Sequence, residues 1–135
     1  MKKLKIIILI FLILIITLVS FYPSLKNNFT NVDDPLYVTE NKTIRSVSWA
    51  NLKNISTSFF VTHYQPVTIF SYLLEYRFFK LKPFNYHLTN LILHLLNCLL
   101  VFWLIYMVSG SVSVSCLTAI FFGIHPMQVE SVAWI

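Results

Sequence analysis

Polar residues that could carry chemistry lie in three short stretches of this 135-residue sequence. The first is the acidic pair Asp33–Asp34, which is followed directly by Pro35. Paired carboxylates can bind a divalent cation or act as a general base. Either role suits transfer from a phosphate-linked donor, because a leaving phosphate needs its charge neutralised and an acceptor hydroxyl must lose its proton. The alternative is that Asp33–Asp34–Pro35 is only a solvated turn.

The other two stretches carry histidines. One is His63–Tyr64–Gln65–Pro66, and the other runs from His125 to Glu130. His125 and Glu130 could serve as ligands or as bases. His125 could equally be a boundary residue whose ring is satisfied locally beside Pro126. None of the three stretches identifies a reaction by itself.

The composition shows which elements must position these residues. Of the whole chain, 57% is hydrophobic and 11% is charged, against about 25% charged in soluble domains. No Asp, Glu, Lys or Arg occurs between Lys82 and Glu130. A bilayer core penalises charge, so this uncharged stretch predicts an integral membrane protein. The net charge of +5 comes from scattered basic residues rather than one basic face, which argues against a nucleic-acid partner.

Periodicity and length predict an all-α membrane protein with three spanning helices near residues 6–22, 86–107 and 111–124. A cleaved signal peptide is the alternative for the first, but no Ala-x-Ala site follows it, which favours an uncleaved anchor. Val112–Ser115 alternates like a strand, although open strands do not cross lipid. The predicted segments are residues 1–22, 23–85 and 86–135.

The middle segment is too charged to span a bilayer. Ser48 is a candidate cap for a short helix through Leu52. A further helix is predicted from Pro66 to Lys80, and its mixture of aromatic and basic residues is typical of the membrane interface. The lysines before residue 6 favour a cytoplasmic N-terminus. The middle segment has more basic residues and argues the other way, but long loops cross membranes largely regardless of charge.

With three spans, the acidic pair and the last stretch lie on the same side of the membrane. Asp33, Asp34, His125 and Glu130 are therefore predicted to converge on one face.

One predicted span carries a polar stripe. Its four polar residues fall within an arc of about 80° on a helix; they are His87, Asn90, His94 and Asn97. Such residues either hydrogen-bond neighbouring helices or line a polar cavity, and both roles require the stripe to face protein. Cys98 and Cys116 lie within apolar runs and are predicted to be buried packing residues.

Four blocks of this sequence, in order, resemble a known family. They are residues 31–41 (NVDDPLYVTEN), 64–68 (YQPVT), 86–94 (YHLTNLILH) and 125–135 (HPMQVESVAWI). The family they resemble is that of the transmembrane and tetratricopeptide-repeat O-mannosyltransferases and their bacterial relatives. Two positions depart from the family pattern: Val32 stands where an aromatic is frequent, and Gln65 where an arginine is frequent.

The resemblance implies a GT-C glycosyltransferase that moves a mannose-like sugar from a polyprenyl-phosphate donor to a hydroxyl of a protein or glycan. Asp33 and Asp34 match its catalytic acidic motif, as base or as ligands of a divalent metal. His125 and Glu130 match the second outer motif, expected to bind substrate.

The family members are longer and usually carry tetratricopeptide repeats, so this chain is expected to be an N-terminal fragment, inactive alone. It would lie in the cell membrane of a bacterium or the endoplasmic reticulum membrane of a eukaryote. The alternative is a non-enzymatic membrane anchor or bundle subunit.

Overall fold

The chain folds as an all-α membrane protein, as predicted. The computed structural model describes residues 2–31, 33–60 and 63–135, so Val32 lies outside the described residues. Within these ranges there is no β-strand, only a single antiparallel bridge between Phe60 and His63. The α-helices are α1 (Lys2–Phe21), α2 (Trp49–Thr57), α3 (Pro66–Phe79), α4 (Pro83–Ser109), α5 (Val112–Ile124) and α6 (Val129–Ala133).

The residues group into two compact units. The helical unit contains residues 2–27 and 87–134, and the loop unit contains residues 28–86 together with Ile135. Each unit has its own core and is described by itself.

Two helices are long and apolar enough to cross a membrane. The first is α1 with its 3-10 extension, 24 residues from Lys3 to Lys26, and the second is α4, with 27 residues. At about 1.5 Å per residue, both exceed a hydrocarbon core of about 30 Å. Two of the predicted spans are thus confirmed by length and composition, with longer helices than the charge-free runs indicated.

The third predicted helix is present as α5, but it is only 13 residues long. It reaches spanning length only together with the segment Pro126–Ala133, to which it is joined at a bend of 52°. Pro126 causes this break, because proline disfavours a helical conformation at the preceding residue and provides no N–H. Val112–Ser115 is helical, so its strand-like alternation did not predict its structure.

The turn between α4 and α5 depends on glycine. Gly110 has φ +64°, a left-handed conformation that side chains disfavour. Ser111 then caps α5, its Oγ accepting the N–H of Val114 at 3.4 Å. Residues 109–111 thus form a tight turn between the two helices.

The helical unit buries little of its apolar surface. Its main core joins α1, α4 and α5 through Ile13, Cys98, Phe102, Cys116 and Ala119. In the most apolar 18-residue stretch of each helix, only 17% is buried in α1 and 22% in α4. Such apolar exteriors suit lipid rather than water. Both cysteines are buried and free, as expected.

The loop unit has a core of its own. Ser48 caps α2 as predicted, its Oγ accepting the N–H of Asn51 at 3.2 Å, but α2 continues beyond Leu52 to Thr57. Helix α3 begins at Pro66 as predicted. It packs Ile69 and Leu73 against residues from the preceding turns, and the buried cluster comprises Val38, Ile44, Ile55, Ile69, Leu73, Tyr86 and Ile135.

Candidate functional site

The acidic pair introduces a single π-helical turn in the loop unit, Pro35–Thr39. The backbone oxygen of Asp33 accepts the N–H groups of Leu36 at 3.0 Å and Tyr37 at 3.2 Å. The predicted turn is present, and these two bonds fix the backbone that carries Asp33.

The two adjacent carboxylates lie in different environments. Asp34 is 2% exposed, and its Oδ2 accepts the N–H of Thr30 at 2.6 Å. Asp33 is exposed, and its carboxylate makes no hydrogen bond or ion pair with another described residue. A buried carboxylate needs such a donor to offset its lost hydration. Asp34 therefore secures the loop, and Asp33 can reach a substrate.

The C-terminal end of the same turn is held by two further side chains. Asn41 accepts the N–H of Thr43 at 2.9 Å and donates to the backbone oxygen of Tyr37 at 3.0 Å. Arg45 donates to the backbone oxygens of Val38, at 3.1 Å, and Thr39. The turn after the acidic pair is thus fixed at both ends by hydrogen bonds rather than by apolar packing alone.

Tyr72 of α3 adds a partly buried phenol to this acidic region. Burial, together with the smaller effects of the negative charges of Glu75 and Asp34 and of the neighbouring Tyr37, raises its pKa to about 12. At physiological pH the phenol therefore stays neutral and can donate a hydrogen bond. The sequence interpretation assigned α3 to the headgroup layer, which stays a prediction, and it did not foresee that Tyr72 packs against the loop core. Its spacing from buried Ile69, three residues earlier, was the available signal.

The acidic pair does not fit a metal held by the protein alone. No group of three or more His, Cys, Asp or Glu side chains suited to a metal occurs among the described residues. One oxygen of Asp34 is occupied by the Thr30 N–H. The exposed Asp33 carboxylate is a single ligand, whereas Mg²⁺ and Ca²⁺ take six or more oxygens.

The segment before α3 has a structural role. The backbones of His63 and Phe60 exchange two hydrogen bonds, of 2.9 and 3.0 Å. The Tyr64 hydroxyl donates to the backbone oxygen of Ser56 at 2.8 Å, which ties this segment to α2. Gln65 is half-buried at the start of α3.

His125 lies at the break between α5 and α6 in the helical unit. Its ring is exposed, and Nδ1 accepts the N–H of Met127 at 3.2 Å. This bond requires Nδ1 to be unprotonated, so in the neutral ring Nε2 carries the hydrogen. Nδ1 thus has a local partner, as expected if His125 is a boundary residue. Nε2 retains an N–H that can donate.

Glu130 is exposed in the first turn of α6. His125 and Glu130 both belong to the helical unit, whereas Asp33 and Asp34 belong to the loop unit. Their convergence on one membrane face stays a prediction.

The polar stripe of α4 faces protein at three of its four positions. Asn90 donates to the backbone oxygen of Trp134 at 2.7 Å, and His94 Nε2 lies 2.9 Å from the backbone oxygen of Gly123. His87 is buried. For these residues the prediction is confirmed, and the two bonds favour interhelical hydrogen bonding over a cavity wall. For Asn97, which is exposed beside Phe122 of α5, it stays a prediction.

Fold and site together define an all-α membrane protein with a fixed acidic loop. Over 125 residues, 83% of this chain and 13% of the relative, it is 29% identical to Protein O-mannosyl-transferase TMTC1 of Mus musculus. Over 37 residues, 27% of this chain and 4% of the relative, it is 49% identical to Protein O-mannosyl-transferase Tmtc3 of Drosophila melanogaster. The chain thus spans only a small part of the length of these curated relatives, and the similarity is weak and partial. No protein-family model and no solved structure matches the chain.

Proposed function

We propose that the chain is the N-terminal membrane segment of a GT-C glycosyltransferase. The enzyme transfers a mannose-like sugar from a polyprenyl-phosphate donor to a hydroxyl group of a protein or glycan. The similarity to two O-mannosyltransferases supports this reaction class. The N-terminus is cytoplasmic in this proposal, and transfer occurs on the outer or lumenal face of the cell membrane or the endoplasmic reticulum membrane.

The observation that carries the proposal is the difference between Asp33 and Asp34. Asp34 is buried and bonded to the Thr30 N–H, whereas the neighbouring Asp33 is exposed on a backbone fixed by two hydrogen bonds. A general base must reach its proton from a defined position. Asp33 meets this requirement, and Asp34 acts as its positioning residue.

In the proposed reaction the Asp33 carboxylate accepts the proton of the acceptor hydroxyl. The hydroxyl oxygen forms a bond to the anomeric carbon of the sugar. The bond from that carbon to the donor phosphate oxygen breaks, and its electron pair leaves on the polyprenyl phosphate. The Nε2–H of His125 is suited to donate to the phosphate, and Glu130 to accept from a sugar hydroxyl.

The test uses the longer protein that contains these residues, in isolated membranes supplied with labelled polyprenyl-phosphate mannose. Asp33→Asn should lower transfer by about 10²-fold or more, as expected for loss of a general base. Asp34→Asn should cost less, because the amide oxygen can still accept the Thr30 N–H. His125→Gln and Glu130→Gln should also have smaller effects than Asp33→Asn. Protein abundance and membrane insertion, measured on the same samples, should not change.

Two results would contradict this assignment. Equal losses in Asp33→Asn and Asp34→Asn would remove the division of roles between the carboxylates. Wild-type transfer in the Asp33→Asn/Asp34→Asn double variant would remove the catalytic proposal, and a non-enzymatic bundle subunit would then be favoured.

A further inference from the structure

A small cavity in the loop unit lies beside the C-terminal end of α3. Its volume is about 40 Å³, several times the roughly 10–15 Å³ that a single water needs. Three cationic side chains line it, those of Arg45, Arg77 and Lys80. Among the described residues, none of those lining the cavity is acidic. Glu75, two residues from Arg77 along α3, is buried and does not belong to the lining.

Two of the three basic side chains lie over one aromatic ring. The Arg45 guanidinium lies 4.4 Å from the centroid of the Tyr76 ring, and the Lys80 ammonium lies 5.1 Å from it. Arg45 is further fixed by its bonds to the backbone oxygens of Val38 and Thr39. Bringing like charges together costs energy unless an anion relieves it. The charges around the cavity therefore favour the binding of a compact anion.

The backbone at Lys80 is strained. Lys80 has φ 57° and ψ −136°, a conformation that favours glycine. Its peptide is nevertheless held there, since its N–H donates to the Tyr76 oxygen at 3.0 Å and its oxygen accepts the Tyr86 hydroxyl at 2.9 Å. Residues kept in such conformations cluster at functional sites. Glycine would adopt this conformation without strain. A lysine at this position therefore indicates that its side chain has a role.

The helix that supplies Arg77 also exposes an apolar stripe. Val67, Phe70, Leu74 and Phe78 are all exposed, Val67 by 81% and Phe78 by 73%. Their spacing places them within an arc of about 80° on α3. The buried residues Ile69 and Leu73 lie on the other side of the helix. An apolar stripe flanked by basic side chains is typical of a helix at the headgroup layer of a membrane.

We propose that this cavity binds the phosphate of an anionic membrane-lipid headgroup while the apolar stripe of α3 rests in the lipid beside it. The planar guanidinium of Arg77 suits two phosphate oxygens, and the Lys80 ammonium supplies a compact second charge. The site differs from the acidic motif and does not depend on the transfer reaction. A lipid phosphate, rather than a free one, is indicated because the cavity and the stripe share one helix.

The test uses the full chain in uncharged maltoside micelles, with binding followed by native mass spectrometry. The probes are dioleoyl phosphatidic acid, dioleoyl phosphatidylcholine and inorganic phosphate. Phosphatidic acid should bind about 10-fold more tightly than phosphatidylcholine, and Arg77→Gln should remove most of this preference. Lys80→Gly should also weaken phosphatidic acid binding, yet raise the unfolding temperature by relieving the backbone strain. That combination separates a binding role from a structural one.

Lys53→Gln is the matched control, since it removes one positive charge from exposed α2 outside the cavity. It should leave the lipid preference unchanged. Equal weakening by Lys53→Gln and Arg77→Gln would mean diffuse attraction and would overturn the proposal. Equal binding of both lipids would overturn it too, as would competition by inorganic phosphate at concentrations matching the lipid.

Discussion

The helical unit and the loop unit differ in where their polar and apolar side chains lie. In the loop unit, polar side chains fix the backbone, as Asp34 does for Thr30 and Arg45 for Val38. In the helical unit the apolar side chains lie largely outside, while Thr17 and His94 are buried. The first arrangement suits contact with water or headgroups, and the second suits lipid. The difference shows that one chain is folded against two solvents.

The comparison also separates two sources of stability. The loop unit depends on charge-assisted and backbone hydrogen bonds, which are strong where a charge is buried. The helical unit gains little from the hydrophobic effect between helices, because lipid is as apolar as their side chains. It therefore depends on close packing, as at Gly123, where an added Cβ would meet the side chains of Thr17 and Cys98.

The largest stability effect is expected from Gly123→Ala. A Cβ at this position would lie inside van der Waals contact with Thr17 Oγ1 and 3.1 Å from Cys98 Sγ. Thr17 and Cys98 are completely buried, so the new methyl has no space to enter. The variant should lose about 3 kcal/mol, the upper end for overpacking. The measurement is unfolding by SDS titration in mixed micelles.

A second substitution sharpens this test. Thr17→Ala removes the atom that the new methyl would strike, so the double variant should lose less stability than the sum of the two single losses. Ser113→Ala, an exposed change on the same helix, should stay within about 0.5 kcal/mol of wild type. Strict additivity between Gly123→Ala and Thr17→Ala would contradict close packing as the basis of the helical unit.

A smaller, local effect is expected in the loop unit from Asp34→Ala. Loss of a hydrogen bond to a charged group costs about 2 kcal/mol. The Thr30 amide, which donates to Asp34, should therefore exchange its hydrogen about 30-fold faster, given that 1.4 kcal/mol is tenfold. Hydrogen exchange followed by NMR measures this. Asp33→Ala is the matched control, and an equal acceleration in both variants would contradict the different roles of the two carboxylates.

The sequence predicted the helices well because their causes are local. The charge-free run through α4, the Ser48 cap and the start of α3 at Pro66 depend on residues near one another in the chain. Helix α5 was predicted within one residue at its start. Helix α5 becomes long enough to cross a membrane only together with the bent segment after Pro126. The path of the chain after this proline does not follow from the residues of α5 themselves.

The site was predicted only as a set of residues. The sequence indicated Asp33 and Asp34 as a pair, but their difference in burial depends on Thr30 and on packing within the loop unit. Tyr72 was missed because buried and interfacial aromatics look alike in composition. Three cationic side chains at one cavity could not be predicted either, since Arg45 and Lys80 are far apart in sequence and only the fold places both over the Tyr76 ring.

The smallest effect distinguishes two asparagines of the α4 stripe. Asn90 donates to the Trp134 backbone oxygen at 2.7 Å, whereas Asn97, two turns later on the same helix face, is exposed. Hydrogen bonds between helices in membranes average about 0.6 kcal/mol, because the unfolded helices also find partners there. Asn90→Ala should therefore destabilise the chain by about 0.6 kcal/mol in the SDS titration, and Asn97→Ala by close to nothing. Equal losses would mean that the Asn90 bond adds nothing beyond side-chain volume. A loss in Asn90→Ala as large as that in Gly123→Ala would contradict packing as the main stabilising contribution, since one hydrogen bond would then match the tight contact at Gly123.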